Sequence, residues 1–76
     1  MAVKIQLYGQ LKQMAGVQEL TLDVKDTDGL IKEIATRFPE IEKLTYLIAV
    51  DRTIVQVNTP VKAIHELALL PPYSGG

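Results

Sequence analysis

The hydrophobic period of this sequence changes twice along the chain, and those changes limit the folds open to it. From Ala2 to Tyr8 the residues alternate, with Val3, Ile5 and Leu7 on one side and Lys4, Gln6 and Tyr8 on the other. Glu19 to Val24 repeats the pattern, with Leu20, Leu22 and Val24 facing inward and Glu19, Thr21 and Asp23 outward. Period two marks a strand with one buried side. After Thr27 and Asp28, which offer a helix N-cap, Leu30, Ile31, Ile34, Ala35 and Phe38 share one helical stripe, and Pro39 ends it. Short apolar runs then return: a strand at Tyr46–Val50, a turn at Asp51-Arg52, a short strand around Ile54–Val57, and a last strand at Glu66–Leu70. Pro71 and Pro72 stop that strand because neither can donate to a sheet ladder. A single helix must therefore cover a sheet built from strands on both sides of it in sequence.

The connections fit this plan. Gly9 and Gly16 bracket Gln10–Ala15, in which Leu11 and Met14 are the only large apolar residues, so the segment reads as a connection partly tucked onto the core. The first two strands thus form a hairpin with a long loop. Ile41 and Leu44 anchor a short turn after the helix, and Asn58, Thr59 and Pro60 mark a loop. The expected fold is α+β: a mixed four- to five-stranded sheet with one main helix packed on one face. That is the β-grasp arrangement, as in ubiquitin.

A chain of 76 residues holds one domain, expected over residues 1–70, followed by a tail at 71–76. The net charge of −1, with both signs interspersed, provides no cationic surface for nucleic acid. Leu47–Val50 and Leu67–Leu70 are far shorter than the ~20 residues that cross a bilayer, and nothing after Met1 reads as a secretion signal. A cytoplasmic protein is expected. The absence of cysteine removes disulfides, thiolate nucleophiles and a side-chain persulfide, and a lone His65 makes neither a metal site nor a triad by itself. No metal and no bound cofactor are expected on this chain, and His65 is expected to be a surface or loop residue.

Leu47–Val50 and Leu67–Leu70 are apolar on both sides of their strands, yet one helix covers only one face of a sheet. Either loops such as Gln10–Ala15 cover the rest, or apolar surface remains for a partner. On the second reading Tyr8, Ala68 and Leu70 lie in the partner interface.

The tail reads Pro71-Pro72-Tyr73-Ser74-Gly75-Gly76. Two prolines favour an extended exit, and Ser-Gly-Gly has little bulk, so an enzyme can admit the segment through a narrow channel. Its reactive group is the α-carboxylate of Gly76, ionised at neutral pH and able to attack the α-phosphorus of ATP. An incidental flexible end is the plainer alternative.

These residues bring a family into view. Leu69-Leu70-Pro71-Pro72-Tyr73-Ser74-Gly75-Gly76 resembles the terminus of molybdopterin synthase small subunits, which are ubiquitin-like sulfur carriers. Ile5-Gln6-Leu7-Tyr8-Gly9, then Leu11 and Gly16, resembles the family's first strand, aromatic-small step and glycine-closed loop, and Val50 and Val61 fall at similar apolar positions. The sequence departs from the family at Asp51, where asparagine is usual, and at Ala63-Ile64-His65, where an acidic, glycine-containing turn is common.

The resemblance implies that Gly76 is adenylated with ATP by a ubiquitin-activating-like adenylyltransferase and converted to a thiocarboxylate. The tail, Pro71 to Gly75, would then enter the synthase large subunit, in a heterotetramer, and sulfur would pass to cyclic pyranopterin monophosphate in molybdenum cofactor biosynthesis. Three alternatives stay open: a sulfur carrier for thiamin thiazole synthesis, whose terminus ordinarily lacks Pro-Pro, a ubiquitin-like modifier joined to lysines through Gly76, and an interaction domain with an inert tail.

Overall fold

Five strands form one mixed sheet in the order β2-β1-β5-β3-β4, in a computed structural model that describes residues 2–72. The strands are β1 (Val3–Leu7), β2 (Glu19–Leu22), β3 (Leu47–Val50), β4 (Thr53–Val55) and β5 (Leu67–Leu70). Each is slightly shorter than its apolar run in the sequence. β1 and β5 are parallel neighbours at the centre, and the other pairs are antiparallel. The register places Ile5 opposite Leu67 and Leu20, and Leu69 opposite Leu7 and Ile48, so one side of the sheet is apolar across its width. The expected extended tail is described only at Pro71 and Pro72, and residues 73–76 lie outside the described residues.

Helix α2 (Thr27–Arg37) covers that side. Leu30 and Ile34 are fully buried among Val3, Ile5, Leu7, Leu67 and Leu69, each worth roughly 1.5–3 kcal/mol over exposure. Ala35 and Phe38 pack against this cluster from its margin. Ile31, expected on the same stripe, is 41% exposed. The helix presents a narrower face than its apolar residues suggest, because a 100° step from Leu30 carries Ile31 over the edge of the sheet.

The start of α2 departs from expectation by one residue. Asp26 is the N-cap, in extended backbone, and its Oδ1 accepts from the Gly29 amide at 2.8 Å. Thr27 is instead the first helical residue and is 3% exposed. Its hydroxyl oxygen accepts from Thr59 N at 2.9 Å, while its own N–H donates to Thr59 O at 2.9 Å. Thr27 could not cap the helix because its hydroxyl is engaged with the loop before β5.

Gln10–Ala15, expected as an irregular connection, is a short helix, α1. Leu11 is 2% exposed and Met14 is half-buried, one turn apart on the core side. Gly16 ends it in the left-handed region (φ 75°), and its N–H donates to Lys12 O at 2.9 Å. So short a helix is not stable alone, and its periodicity is too brief to read; burial of Leu11 holds it. A 3₁₀ turn at Pro39–Lys43 buries Ile41 as expected and leads into β3.

Candidate functional site

The sheet face opposite α2 is built by register. Gln6, Ala68, Ala49 and Ile54 lie in one row across β1, β5, β3 and β4, because Ala68 pairs with both Gln6 and Ala49, and Ala49 pairs with Ile54. Their neighbours in β1, β3 and β5 are buried in the core, and Val55 of β4 packs against it, so this row points away from it. Leu70 follows two residues further along β5, and Tyr8 two residues beyond Gln6, just past the end of β1. The two alanines at the centre, flanked by larger residues, leave a shallow concavity of about 430 Å³. Its lining includes Tyr8, Ala49, Ile54, Ala68 and Leu70, with Gln6, Arg52 and Glu66 at polar edges.

The three residues expected in a partner interface, Tyr8, Ala68 and Leu70, are thus brought to one surface. Tyr8 is 46% exposed and Ile54 43%, whereas Ala68 and Leu70 are half-buried by their neighbours. Gln10–Ala15 does not lie among the lining residues. Sequence reasoning did not single out Ala49 or Ile54. Ala49 carried a signal, as the one small residue in Leu47–Val50, while the placement of Ile54 depends on the hairpin register.

That register comes from a two-residue turn. Val50 pairs with Thr53, leaving Asp51 (φ 50°) and Arg52 (φ 69°) as the central residues, both left-handed, as in a type I′ hairpin. Asp51 tolerates this backbone and uses its side chain to hold β5: Oδ1 accepts from Glu66 N at 2.8 Å, and Asp51 N donates to Glu66 O at 2.8 Å. His65 Nε2 stands 3.9 Å from Asp51 Oδ2, and its Nδ1 accepts from Lys62 N at 2.8 Å. The two sequence departures, Asp51 and Ala63-Ile64-His65, therefore lie in two turns that approach each other at the edge of β5. An asparagine side-chain oxygen could accept from Glu66 N in the same place. His65 belongs to the turn before β5 and does not line the concavity.

The concavity adjoins the root of the tail. Leu70 lines it, and the next residue is Pro71, where the chain leaves the sheet. Tyr8 N donates to Leu69 O at 3.3 Å, tying the end of β1 to the last turn of the ladder before Pro71. Gly9 follows with φ 59° and ψ −134°, and Pro71 packs directly over it. Pro71 and Pro72 are exposed. Tyr73, Ser74, Gly75 and Gly76, named as tail and reactive residues, lie outside the described residues.

The sequence matches the ThiS family over residues 5–76. The chain belongs to the ThiS family. No curated protein matches it in sequence. Among solved structures, a Pyrococcus furiosus protein provisionally named molybdopterin converting factor subunit 1 superposes with a TM-score of 0.83 at 23% identity, covering 96% of this chain and 99% of that one. The solution structure of small archaeal modifier protein 1 from Methanosarcina acetivorans gives 0.83 at 21% identity, covering 99% and 96%. A complex of subunits 1 and 2 of the molybdopterin-converting factor from Helicobacter pylori gives 0.77 at 26% identity, covering both chains fully. The ThiS-family chain thus has the ubiquitin-like β-grasp fold expected from its sequence, with five strands and one main helix. Among its described residues no helix is long and apolar enough to cross a membrane.

Proposed function

We propose that this ThiS-family chain is the sulfur-carrier subunit of a molybdopterin synthase. The observation that carries the proposal is the adjacency of the apolar concavity to the point where the tail departs: Leu70 lines the one and immediately precedes the other. A protein seated on Tyr8, Ala68 and Leu70 receives the tail root beside its own surface. The Helicobacter pylori relative is a complex of subunits 1 and 2, which supports a large-subunit partner for this chain too.

The chemistry proceeds in balanced steps. A Gly76 carboxylate oxygen attacks the α-phosphorus of ATP, and the bond to pyrophosphate breaks, giving an acyl-adenylate. A sulfur nucleophile at the hydrosulfide oxidation level, delivered by another protein, adds to the acyl carbon and expels AMP. The product is a terminal thiocarboxylate. Its sulfur attacks a carbon of cyclic pyranopterin monophosphate and displaces the oxygen substituent there. Water then cleaves the acyl–sulfur bond to leave a thiolate on the pterin and restore the Gly76 carboxylate, and a second thiocarboxylate repeats the exchange at the neighbouring carbon to complete the dithiolene. The folded body supplies no acid, base or metal to these steps. Both partner enzymes hold those groups, and this chain contributes a docking face and a narrow reactive tail.

The test is intact mass of the protein recovered from cells, followed by reconstitution with the large subunit and cyclic pyranopterin monophosphate. Replacement of one terminal oxygen by sulfur, and molybdopterin formed from the thiocarboxylate form alone, are expected. Likeness to the archaeal modifier favours a second reading, in which Gly76 ends in isopeptide bonds. Recovery of Gly76 on lysine side chains with no sulfur-bearing form would favour that reading and reject the first. A sulfur-bearing form that supports thiazole synthesis but not molybdopterin would assign the carrier to thiamin.

A further inference from the structure

The geometry points to Gly9 as a positioning residue that sets the direction in which the chain leaves the fold at Pro71. The inference rests on the reading of the tail as the working segment. An L side chain at Gly9 meets two obstacles. Its φ of 59° with ψ −134° belongs to a region essentially reserved for glycine. A Cβ there would also stand 3.0 Å from Pro71 Cγ and 3.8 Å from Cδ. Gly16 separates the two effects, since it shares a positive φ of 75° but has no atom within 4 Å of its would-be Cβ. Gly16 is glycine for its backbone alone, whereas Gly9 also makes room for a ring.

Neither partner in that contact retreats easily. Gly9 is fixed from both sides: Tyr8 N donates to Leu69 O, Tyr8 O accepts from Leu11 N at 3.2 Å, and Gly9 O accepts from Gln13 N at 3.3 Å. The buried Leu11 holds α1, and with it these bonds, on the core. Pro71 is a closed ring with a fixed φ, so it cannot swing aside as a long side chain does. A methyl group at position 9 asks Pro71 to give by a few tenths of an ångström, and whatever ring pucker does not supply must come from the backbone at Pro71, which redirects the chain that follows. Ala49, Ile54 and Ala68, at the centre of the concavity and away from Gly9, are left as they were. Docking and delivery of the tail are thereby separable: the sheet face sets affinity, and the Gly9–Pro71 contact sets how often a docked carrier presents Gly76 productively.

The experiment is a double-mutant cycle with Gly9→Ala, Pro71→Ala and the combination, read in two ways. The first readout uses the absence of cysteine: Ser74→Cys is spin-labelled in each background, and paramagnetic broadening of body amides reports where the tail points. The second is pyrophosphate release by an ATP-dependent adenylyltransferase as a function of carrier concentration. Gly9→Ala is expected to redistribute the broadening and to lower kcat about tenfold or more with KM nearly unchanged. In the Pro71→Ala background, where the ring carbons are gone and only the backbone cost of position 9 is left, its effect on both readouts should be much smaller. A folded Gly9→Ala chain with the parent broadening pattern, or an equal kcat penalty in both backgrounds, would overturn the inference. If Gly9→Ala alone fails to fold, folding of the double variant supports it, and failure of both overturns it, because position 9 is then required for its backbone only. Should the parent chain not be adenylated at all, the sulfur-carrier reading falls while the spin-label pattern still decides the role of Gly9.

Discussion

Asp26 holds the start of α2 through both carboxylate oxygens, since Oδ1 accepts from Gly29 N at 2.8 Å and Oδ2 from Asn58 Nδ2 at 3.3 Å. Asn58 in turn accepts from Asp28 N at 2.9 Å, so a helix terminus and a loop thirty residues away share one hydrogen-bonded knot. The Gly29 amide first, and the Asn58 amide second, draw the Asp26 pKa below its ordinary 3.8. Because the folded pKa is the lower one, the stability this carboxylate adds is complete above 3.8 and fades as pH falls through the folded value. Asp26→Asn keeps a capping oxygen but does not titrate. Its denaturation midpoint should therefore fall less than the parent's between neutral pH and acid below 3.8, measured as paired urea titrations. His65 is a contrasting residue, since its Nδ1 bond to Lys62 N is confined to the turn before β5. His65→Ala should leave the rate of sulfur transfer nearly unchanged in the reconstituted assay. A large loss would place chemistry on the folded body.

Elements are held by unequal means, and α1 depends most on tertiary contact. Its six residues form too short a helix to persist alone, and Leu11 is its one buried anchor. Leu11→Ala should cost about 2–5 kcal/mol by urea denaturation, a large share of the stability of so small a domain. Gly16→Ala, which meets no steric neighbour, should cost about 1–2 kcal/mol from the left-handed backbone alone. A Gly16 penalty as large as that of Leu11 would mean that the helix end contacts something the described residues do not explain. Tyr46, just before β3, packs against the same core, and burial raises its phenol pKa.

For the whole molecule, the two faces of the sheet differ, and the proposed function assigns association to the one that α2 leaves open. One face carries α2 and the core. The other exposes the concavity beside the tail root. Ala68→Arg puts a charge at the centre of that concavity while Leu67 and Leu69 stay buried. The variant should keep the parent thermal midpoint but bind the large subunit more weakly by at least about 2 kcal/mol, or roughly thirtyfold in Kd by calorimetry. Unchanged affinity would move the interface elsewhere. Deleting Gly76 should show the opposite division: binding and melting preserved, sulfur transfer lost. Transfer by the deletion variant would sink the proposed function.

How much of this was legible in the sequence follows from the range of each interaction. Alternation in β1 and β2, the stripe of α2, the Asp51-Arg52 turn and the Pro-Pro stop are local patterns, fixed by backbone period and by side chains close in sequence. They determined the order of elements, the fold class and the candidate tail. Tyr8, Ala68 and Leu70 could be placed together on the uncovered face because two-sided apolar strands exceed what one helix can cover. Other features were settled only in three dimensions. Leu11 made Gln10–Ala15 helical, and Thr59 engaged the hydroxyl of Thr27 and left the cap to Asp26. Ala49 and Ile54 joined the concavity only when strand register set them beside Ala68. The ring of Pro71 came to rest on Gly9 across sixty residues of sequence, because parallel pairing of β1 with β5 brings the ends of both strands to the same edge. Each of these joins distant residues, and strand pairing and burial choose such partners by space rather than by sequence neighbourhood.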